Sequence, residues 1–156
     1  MLKPFSSPEL KTRPKANRLE AEIFVLDSYA LLAHLESGNG EQHIGDLLQR
    51  ASQGTCKLLM SVVNLGEVLY LTERRRGWPK ALELFAYTDE LPIQVIDANR
   101  TQILAAAHIK ASWPLAYADC FAAALAKLNG AAVVTGDPEF KQLESDGLIS
   151  VSWLER

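Results

Sequence analysis

Hydrophobic residues follow two different spacings along the chain, and each spacing predicts a type of element. Short, mostly apolar runs are typical of strands, those in the middle of a sheet being buried on both faces. Apolar positions repeating every three or four residues predict helices between these runs. The predicted strands cover residues 22–27, 57–60, 93–96, 131–134 and 149–153, and the predicted helices cover residues 28–37, 41–52, 62–76, 78–87, 99–111, 117–129 and 138–143.

Strands that are separated by helices, without hairpin signals, indicate an α/β domain. We therefore predict a mostly parallel sheet of about five strands with helices on both faces, in three layers. Residues 149–153 alternate between apolar and polar and predict a closing edge strand. Ser61 is placed to cap the helix that follows it, and Gly130 to end the helix before it.

Composition is that of an ordinary soluble domain, with 48% hydrophobic and 22% charged residues among 156. No apolar run reaches the length of a membrane span, and the polar, proline-rich first residues do not resemble a signal peptide. We therefore expect a cytoplasmic protein. Cys56 and Cys120 fall in predicted elements without metal-ligand spacing, which favours buried, reduced thiols.

Charge is distributed unevenly around a net value of −3. Residues 1–18 carry +4, so the remainder carries −7. Residues 1–20 also lack periodicity, and we expect a flexible N-terminal arm followed by one domain over residues 21–156. An unstructured extension is favoured over a tether for nucleic acid or a partner protein.

Four acidic residues stand at element boundaries or in apolar helices: Asp27, Glu67, Asp119 and Asp137. Each has a local explanation by itself, as a helix cap, an exposed helix position, a first-turn acid or a turn former. The carboxyl ends of neighbouring parallel strands meet at one edge, however, so Asp27 and Asp137 can lie close together. Asp119 and Glu67 lie early in their helices and can point into the same crevice.

Several carboxylates at one place raise one another's pKa unless a cation compensates for their charge. Oxygen-only ligation suits Mg²⁺ or Mn²⁺ and does not suit Zn²⁺. A divalent cation held in this way can orient a phosphodiester and lower the pKa of an attacking water. The four acids therefore indicate metal-dependent phosphodiester hydrolysis.

Four segments that contain these acids resemble, in order and spacing, the PIN-domain nucleases, and most closely the VapC-type toxins of toxin–antitoxin pairs. The resemblance covers about residues 22–153 and rests on residues 24–32 (FVLDSYALL), 61–68 (SVVNLGEV), 117–124 (YADCFAAA) and 133–140 (VVTGDPEF). It implies a PIN-like fold with Asp27, Glu67, Asp119 and Asp137 as the metal-binding quartet.

The resemblance also assigns supporting roles and shows two departures. Thr135 would be a hydroxyl residue beside the metal site, Ser28 a weaker one, and Asn64 would orient Glu67 or act as a structural cap. Ala116 stands where family members often carry a capping serine. Glu139 stands near a position where some members have a further aspartate, and we expect it to be peripheral.

RNA cut endonucleolytically is the substrate that the resemblance implies. Arg74, Arg75 and Arg76, at the end of the Glu67 helix, are candidates for holding the RNA backbone, although cations there also complement the helix dipole.

The family further implies a homodimer and a small, VapB-like antitoxin. His34 and the helices up to Leu48 are candidates for the antitoxin surface, although their apolar positions are equally explained by the core.

Three rival interpretations follow from the same residues. A catalytically silent PIN-like binding or scaffold module predicts the loss of at least one acid, and all four are present. A phosphatase of the haloacid dehalogenase type requires a second aspartate at the position of Tyr29. A receiver domain requires an acidic pair and a late lysine that the sequence does not show.

Overall fold

Strands and helices alternate through residues 21–155, which the computed structural model of the chain describes. The predicted arm, residues 1–20, lies outside these described residues. The elements are β1 Glu22–Leu26, α1 Ser28–Leu35, α2 Glu41–Ser52, β2 Cys56–Ser61, α3 Val62–Arg76, α4 Trp78–Thr88, β3 Gln94–Ile96, α5 Arg100–Ser112, α6 Tyr117–Asn129, β4 Ala132–Thr135, a 3₁₀ turn Pro138–Phe140, α7 Lys141–Ser145 and β5 Ser150–Trp153.

The five strands form one sheet in the order β3-β2-β1-β4-β5, and every neighbouring pair is parallel. The predicted α/β class is therefore confirmed, and the described sheet is parallel throughout. The last strand, β5, lies at an edge as predicted. The first strand, β1, lies at the centre between β2 and β4, with Leu26 opposite Val134.

Alternate strand residues face two helical layers. On one face Val25, Leu59 and Val133 pack in a core with residues of α5 and α6. On the other face Leu26, Leu58 and Val134 pack with residues of α1 and α2. A third cluster joins α1 to α3 through Leu31, Met60, Leu65 and Val68. The three-layer arrangement follows from the alternation of side chains along each strand.

Most element boundaries agree with the sequence patterns to within one or two residues, and two predictions need correction. The helix predicted over residues 28–37 ends at Leu35, and Ser37 then adopts a φ of +50°, which a continuing helix cannot contain. The helix predicted over residues 138–143 is a 3₁₀ turn followed by the short helix α7. Asp137 caps this turn by accepting a hydrogen bond from the Glu139 N–H at 2.9 Å.

Cys56 and Cys120 are both free and buried, as predicted. None of the helices within residues 21–155 combines the length and the apolar character that crossing a membrane requires.

Helix α6 lies deepest in the molecule but begins without a side-chain cap. Its residues Asp119 to Ala126 are all buried. Ala116 holds the N-cap position in extended backbone geometry (φ −59°, ψ 146°), and no side chain accepts a hydrogen bond from the first turn. The departure noted at Ala116 therefore leaves free N–H groups at this end of the helix.

Replacing Ala116 with serine should stabilise the protein, because a serine hydroxyl can accept a hydrogen bond from the first turn of α6. We expect the free energy of unfolding to rise by about 1 kcal/mol, which corresponds to a melting temperature higher by roughly 2–4 °C for a chain of this size. Ala111→Ser, at an exposed position inside α5, is the matched control and should slightly lower stability. Equal effects of the two substitutions would contradict the capping argument.

Candidate functional site at the carboxyl edge of the sheet

The order of the strands defines where a ligand can bind. The chain runs from β1 outwards to β2 and β3 on one side, and β4 and β5 occupy the other side. The crevice between β1 and β4 is thus a topological switch point at the carboxyl ends of parallel strands, where open α/β sheets bind their ligands. Asp27 follows β1 and Asp137 follows β4 by two residues, so both acids reach this crevice.

Asp27 and Asp137 are connected through the hydroxyl of Thr135. Asp27 is 1% exposed and caps α1, since its Oδ1 accepts a hydrogen bond from the Ala30 N–H at 2.8 Å. Its Oδ2 accepts a hydrogen bond from the hydroxyl of Thr135. The same hydroxyl oxygen accepts a bond from the Asp137 N–H at 2.9 Å. Thr135 therefore fixes the position of one acid relative to the other.

Glu67 is connected to the same region through Ser28 and Asn64. The Ser28 hydroxyl donates to Glu67 Oε2 at 2.6 Å. Asn64, which is completely buried, donates from Nδ2 to Ser28 Oγ at 3.2 Å and to the Ala118 carbonyl at 3.1 Å. Asn64 thus links α3 to the first turns of α1 and α6, beside three of the acids.

Three acids converge most closely, and one of them was not expected. Asp119, Asp137 and Glu139 each place a carboxylate oxygen so that the three oxygens lie within 4.8 Å of one another. The expectation that Glu139 is peripheral is therefore wrong. The capped 3₁₀ turn brings its carboxylate back beside that of Asp137, and the sequence pattern gave no sign of this reversal.

Asp27 and Glu67 are not in this group of three, but their charges act on it. Burial raises the pKa of Asp119 to about 7, and the charges of Asp27, Asp137, Glu67 and Glu139 raise it in the same direction. Burial also raises the pKa of Asp27 to about 7. The hydrogen bonds from Thr135 and Ala30 oppose this shift, and the charges of Asp137 and Glu67 add to it. All four predicted acids and Glu139 therefore share one electrostatic environment.

The donor set fits a hard divalent cation. The three convergent groups offer carboxylate oxygens, which Mg²⁺ and Mn²⁺ prefer, and no histidine or cysteine belongs to the group. A cation at this place would offset the repulsion that adds to the effect of burial on the pKa of Asp119.

The basic residues at the end of α3 lie apart from the acids. Arg74, Arg75 and Arg76 follow Glu67 by two to three helical turns, which places them roughly 10–14 Å away along the helix axis. The guanidinium of Arg74 lies 4.9 Å from the centre of the Tyr70 ring. Arg75 pairs with Glu36 at 3.2 Å, both side chains being substantially exposed. Their proposed contact with RNA stays a prediction.

Comparison with known families identifies the fold. The model of the PIN domain family matches residues 24–145. Among curated proteins, no relative matches the sequence.

Solved structures with the same fold include several toxin–antitoxin proteins. A DNA-bound VapBC2 from Rickettsia felis has a TM-score of 0.69 at 13% identity and covers 85% of this chain and 99% of its own. A DNA-bound VapBC from Salmonella typhimurium has a TM-score of 0.66 at 18% identity and covers 84% of this chain and 97% of its own. VapC20 from Mycobacterium tuberculosis, a sarcin-ricin loop cleaving toxin, has a TM-score of 0.60 at 16% identity and covers 83% of this chain and 98% of its own. At these identities the likeness shows the fold.

Stability of the metal-free protein should fall as the pH rises towards 7. The pKa values of Asp27 and Asp119 are about 7 in the folded protein, against an ordinary value of 3.8. Between pH 3.8 and about pH 7 the folded protein therefore binds more protons than the unfolded chain. Its free energy of unfolding therefore decreases with rising pH in this window and levels off above it. Urea denaturation in a chelating buffer, from about pH 5 to about pH 8, measures this slope.

Asp27→Asn removes one of the two titrating groups while keeping the side-chain shape, so it should make the slope shallower and raise stability at neutral pH. Asp89→Asn, at an exposed position after α4, is the matched control and should leave the slope unchanged. Stability that rises between pH 5 and pH 7 would show that burial and neighbouring charges do not raise the pKa of these two acids.

Proposed function

The chain belongs to the PIN-domain family, and from this premise we propose that it is a metal-dependent endoribonuclease that hydrolyses RNA phosphodiester bonds. The observation that carries the proposal is the group of Asp119, Asp137 and Glu139, with oxygens within 4.8 Å of one another and coupled to the buried Asp27. Like charges held this close to one another, one of them on the buried Asp119, repel unless a cation compensates for them.

The protein's residues divide into those that hold a cation and those that position them. Asp119, Asp137 and Glu139 are the proposed ligands for Mg²⁺ or Mn²⁺, and Asp27 and Glu67 remain candidates for completing the set. When bound, the cation would polarise the phosphodiester and lower the pKa of the attacking water. Thr135 positions Asp137 against Asp27, as Ser28 does for Glu67.

We further propose that the enzyme is the toxin of a toxin–antitoxin pair. The solved structures described above are VapBC complexes and a VapC toxin, and they cover more than four fifths of this chain. A small VapB-like antitoxin and a homodimer are the partners that this role implies. The surface of α1 and α2 that includes His34 stays the predicted antitoxin contact. A cytoplasmic location likewise stays a prediction.

RNA cleavage should require both a divalent cation and Asp119. With Mg²⁺ or Mn²⁺, the purified protein should cut single-stranded RNA internally, and a chelator should abolish the cleavage. Asp119→Asn should lower the cleavage rate by at least about 100-fold, since one charged ligand is lost from the centre of the group. Gel analysis of end-labelled RNA measures the cut sites and rates.

Asp89→Asn makes the same chemical change at an exposed position and should leave cleavage unchanged. Equal activity of wild type and Asp119→Asn would indicate a contaminating nuclease or a different site. Absence of cleavage by wild type with either cation would favour the scaffold alternative.

Binding of Mn²⁺ should stabilise the folded protein through Glu139. A ligand at roughly 100 times its Kd stabilises the folded state by about 2.7 kcal/mol, or a melting temperature higher by roughly 5–10 °C. Glu139→Gln should reduce this shift, because a neutral amide replaces one carboxylate ligand. Thermal unfolding with and without Mn²⁺ measures the difference. Glu90→Gln, at an exposed position in the loop between α4 and β3, is the control. An unchanged shift in Glu139→Gln would remove Glu139 from the ligand set.

A further inference from the structure

Tyr29 lies at the rim of the acidic site, next to the strand end that carries Thr135 and Asp137. It is the second residue of α1, directly after Asp27 and Ser28, which both bond to other residues of the site. The outer end of its ring lies over Gly136, between Thr135 and Asp137. The Tyr29 side chain remains 39% exposed, whereas Gly136 beneath it is buried.

The contact with Gly136 is close enough to fix where the ring lies. A Cβ atom added at Gly136 would stand 2.4 Å from Tyr29 Cε1 and 2.6 Å from Cζ, far inside contact distance. Gly136 does not have a positive φ, so space for the ring, and not backbone freedom, explains the glycine. Any larger residue at this position would push the ring away from the site.

An exposed aromatic ring at the rim of an acidic site can make a contact with RNA that a charged residue does not provide. The proposed substrate is a polyanion, and the sequence after residue 18 carries a net charge of −7, so the net charge of the domain repels the substrate. A neutral aromatic side chain can hold a nucleobase by stacking, which contributes to the binding of single-stranded RNA whatever the base is.

We infer that Tyr29 is a substrate-contacting residue that stacks on a nucleobase next to the phosphate to be cleaved. The inference rests on the proposed ribonuclease function and adds to it how the RNA is held. The ring contacts the residue immediately before Asp137, and neighbouring Cα atoms are about 3.8 Å apart. A nucleotide adjacent to a phosphate held at the acids is therefore within reach of the ring.

A purely structural role for Tyr29 makes a different prediction. If the ring only covers Gly136, Tyr29→Leu removes this cover and lowers stability, because leucine ends short of the ring atoms that contact Gly136, but it leaves KM unaffected. If the ring stacks on a base, leucine cannot replace it, whereas phenylalanine can. Tyr29→Leu and Tyr29→Phe therefore separate the two roles, and Gly136→Ala tests the ring's position without changing the ring.

The test is steady-state cleavage of a short single-stranded RNA with Mn²⁺. We expect Tyr29→Leu to raise KM by roughly 5- to 150-fold, the loss of one base-stacking contact, with a smaller change in kcat. Tyr29→Phe should recover most of this loss, and Gly136→Ala should raise KM in the same direction as Tyr29→Leu. Tyr87→Leu, at a tyrosine that is also 39% exposed but lies on α4, is the matched control and should leave KM unchanged.

Abasic substitution in the RNA identifies the stacked base directly. An abasic nucleotide is placed at each position of the RNA in turn. For wild type, KM should rise when the abasic nucleotide stands at one position beside the cut. For Tyr29→Leu the same abasic RNA should raise KM little further, because the two changes remove the same contact. Unchanged KM in a folded Tyr29→Leu variant, or equal abasic penalties in wild type and variant, would overturn the inference. Failure of wild type to cleave RNA would instead refute the proposed function. If thermal unfolding shows that Tyr29→Leu is not folded, Gly136→Ala replaces it, and KM and the abasic penalties are compared between wild type and Gly136→Ala.

Discussion

Mutual repulsion among carboxylates is the constraint on which this structure depends. Asp27, Glu67, Asp119, Asp137 and Glu139 act on one another electrostatically at one edge of a parallel sheet, and two of them are held where burial itself opposes their charge. Hydrogen bonds from Thr135 and the Ala30 amide offset part of this cost at Asp27. The rest of this free-energy cost is offset by the burial of apolar side chains in the cores on both faces of the sheet.

The parallel topology explains why acids from distant parts of the chain meet. Asp27 and Thr135 are 108 residues apart in sequence, yet they bond directly because β1 and β4 are neighbours. Helix α6 brings Asp119 to the same edge in its first turn, where the helix dipole favours a negative charge. Asn64 ties the helix that bears Glu67 to the start of α6 through the Ala118 carbonyl. Asp27 and Glu67 are thus each held by a neighbouring hydroxyl, and Asp119 is held by the position of α6.

The sequence predicts elements better than it predicts the details of the site. Helix α3 was predicted over the residues it occupies, because Ser61 caps its start and Gly77 ends it. Glu139 was missed because its position depends on a 3₁₀ turn that Asp137 caps, whereas a short helix was the expectation. The position of Tyr29 against Gly136 was also missed. Its contact with Gly136 depends on the pairing of β1 with β4, and a glycine beside Asp137 was the one local signal.

An acidic site that acts on RNA must obtain its affinity from sources other than its own net charge. The clustered arginines of α3 lie two to three helical turns from Glu67, and two of them already contact Tyr70 and Glu36. Without a cation, the carboxylates repel the phosphate that the site is proposed to bind. With a cation, the same carboxylates would be its ligands, and the cation would offset most of their charge and attract the phosphate. Under the proposed function, cation and RNA binding would therefore be thermodynamically coupled, and contacts to the neutral bases would supply affinity that does not depend on the cation.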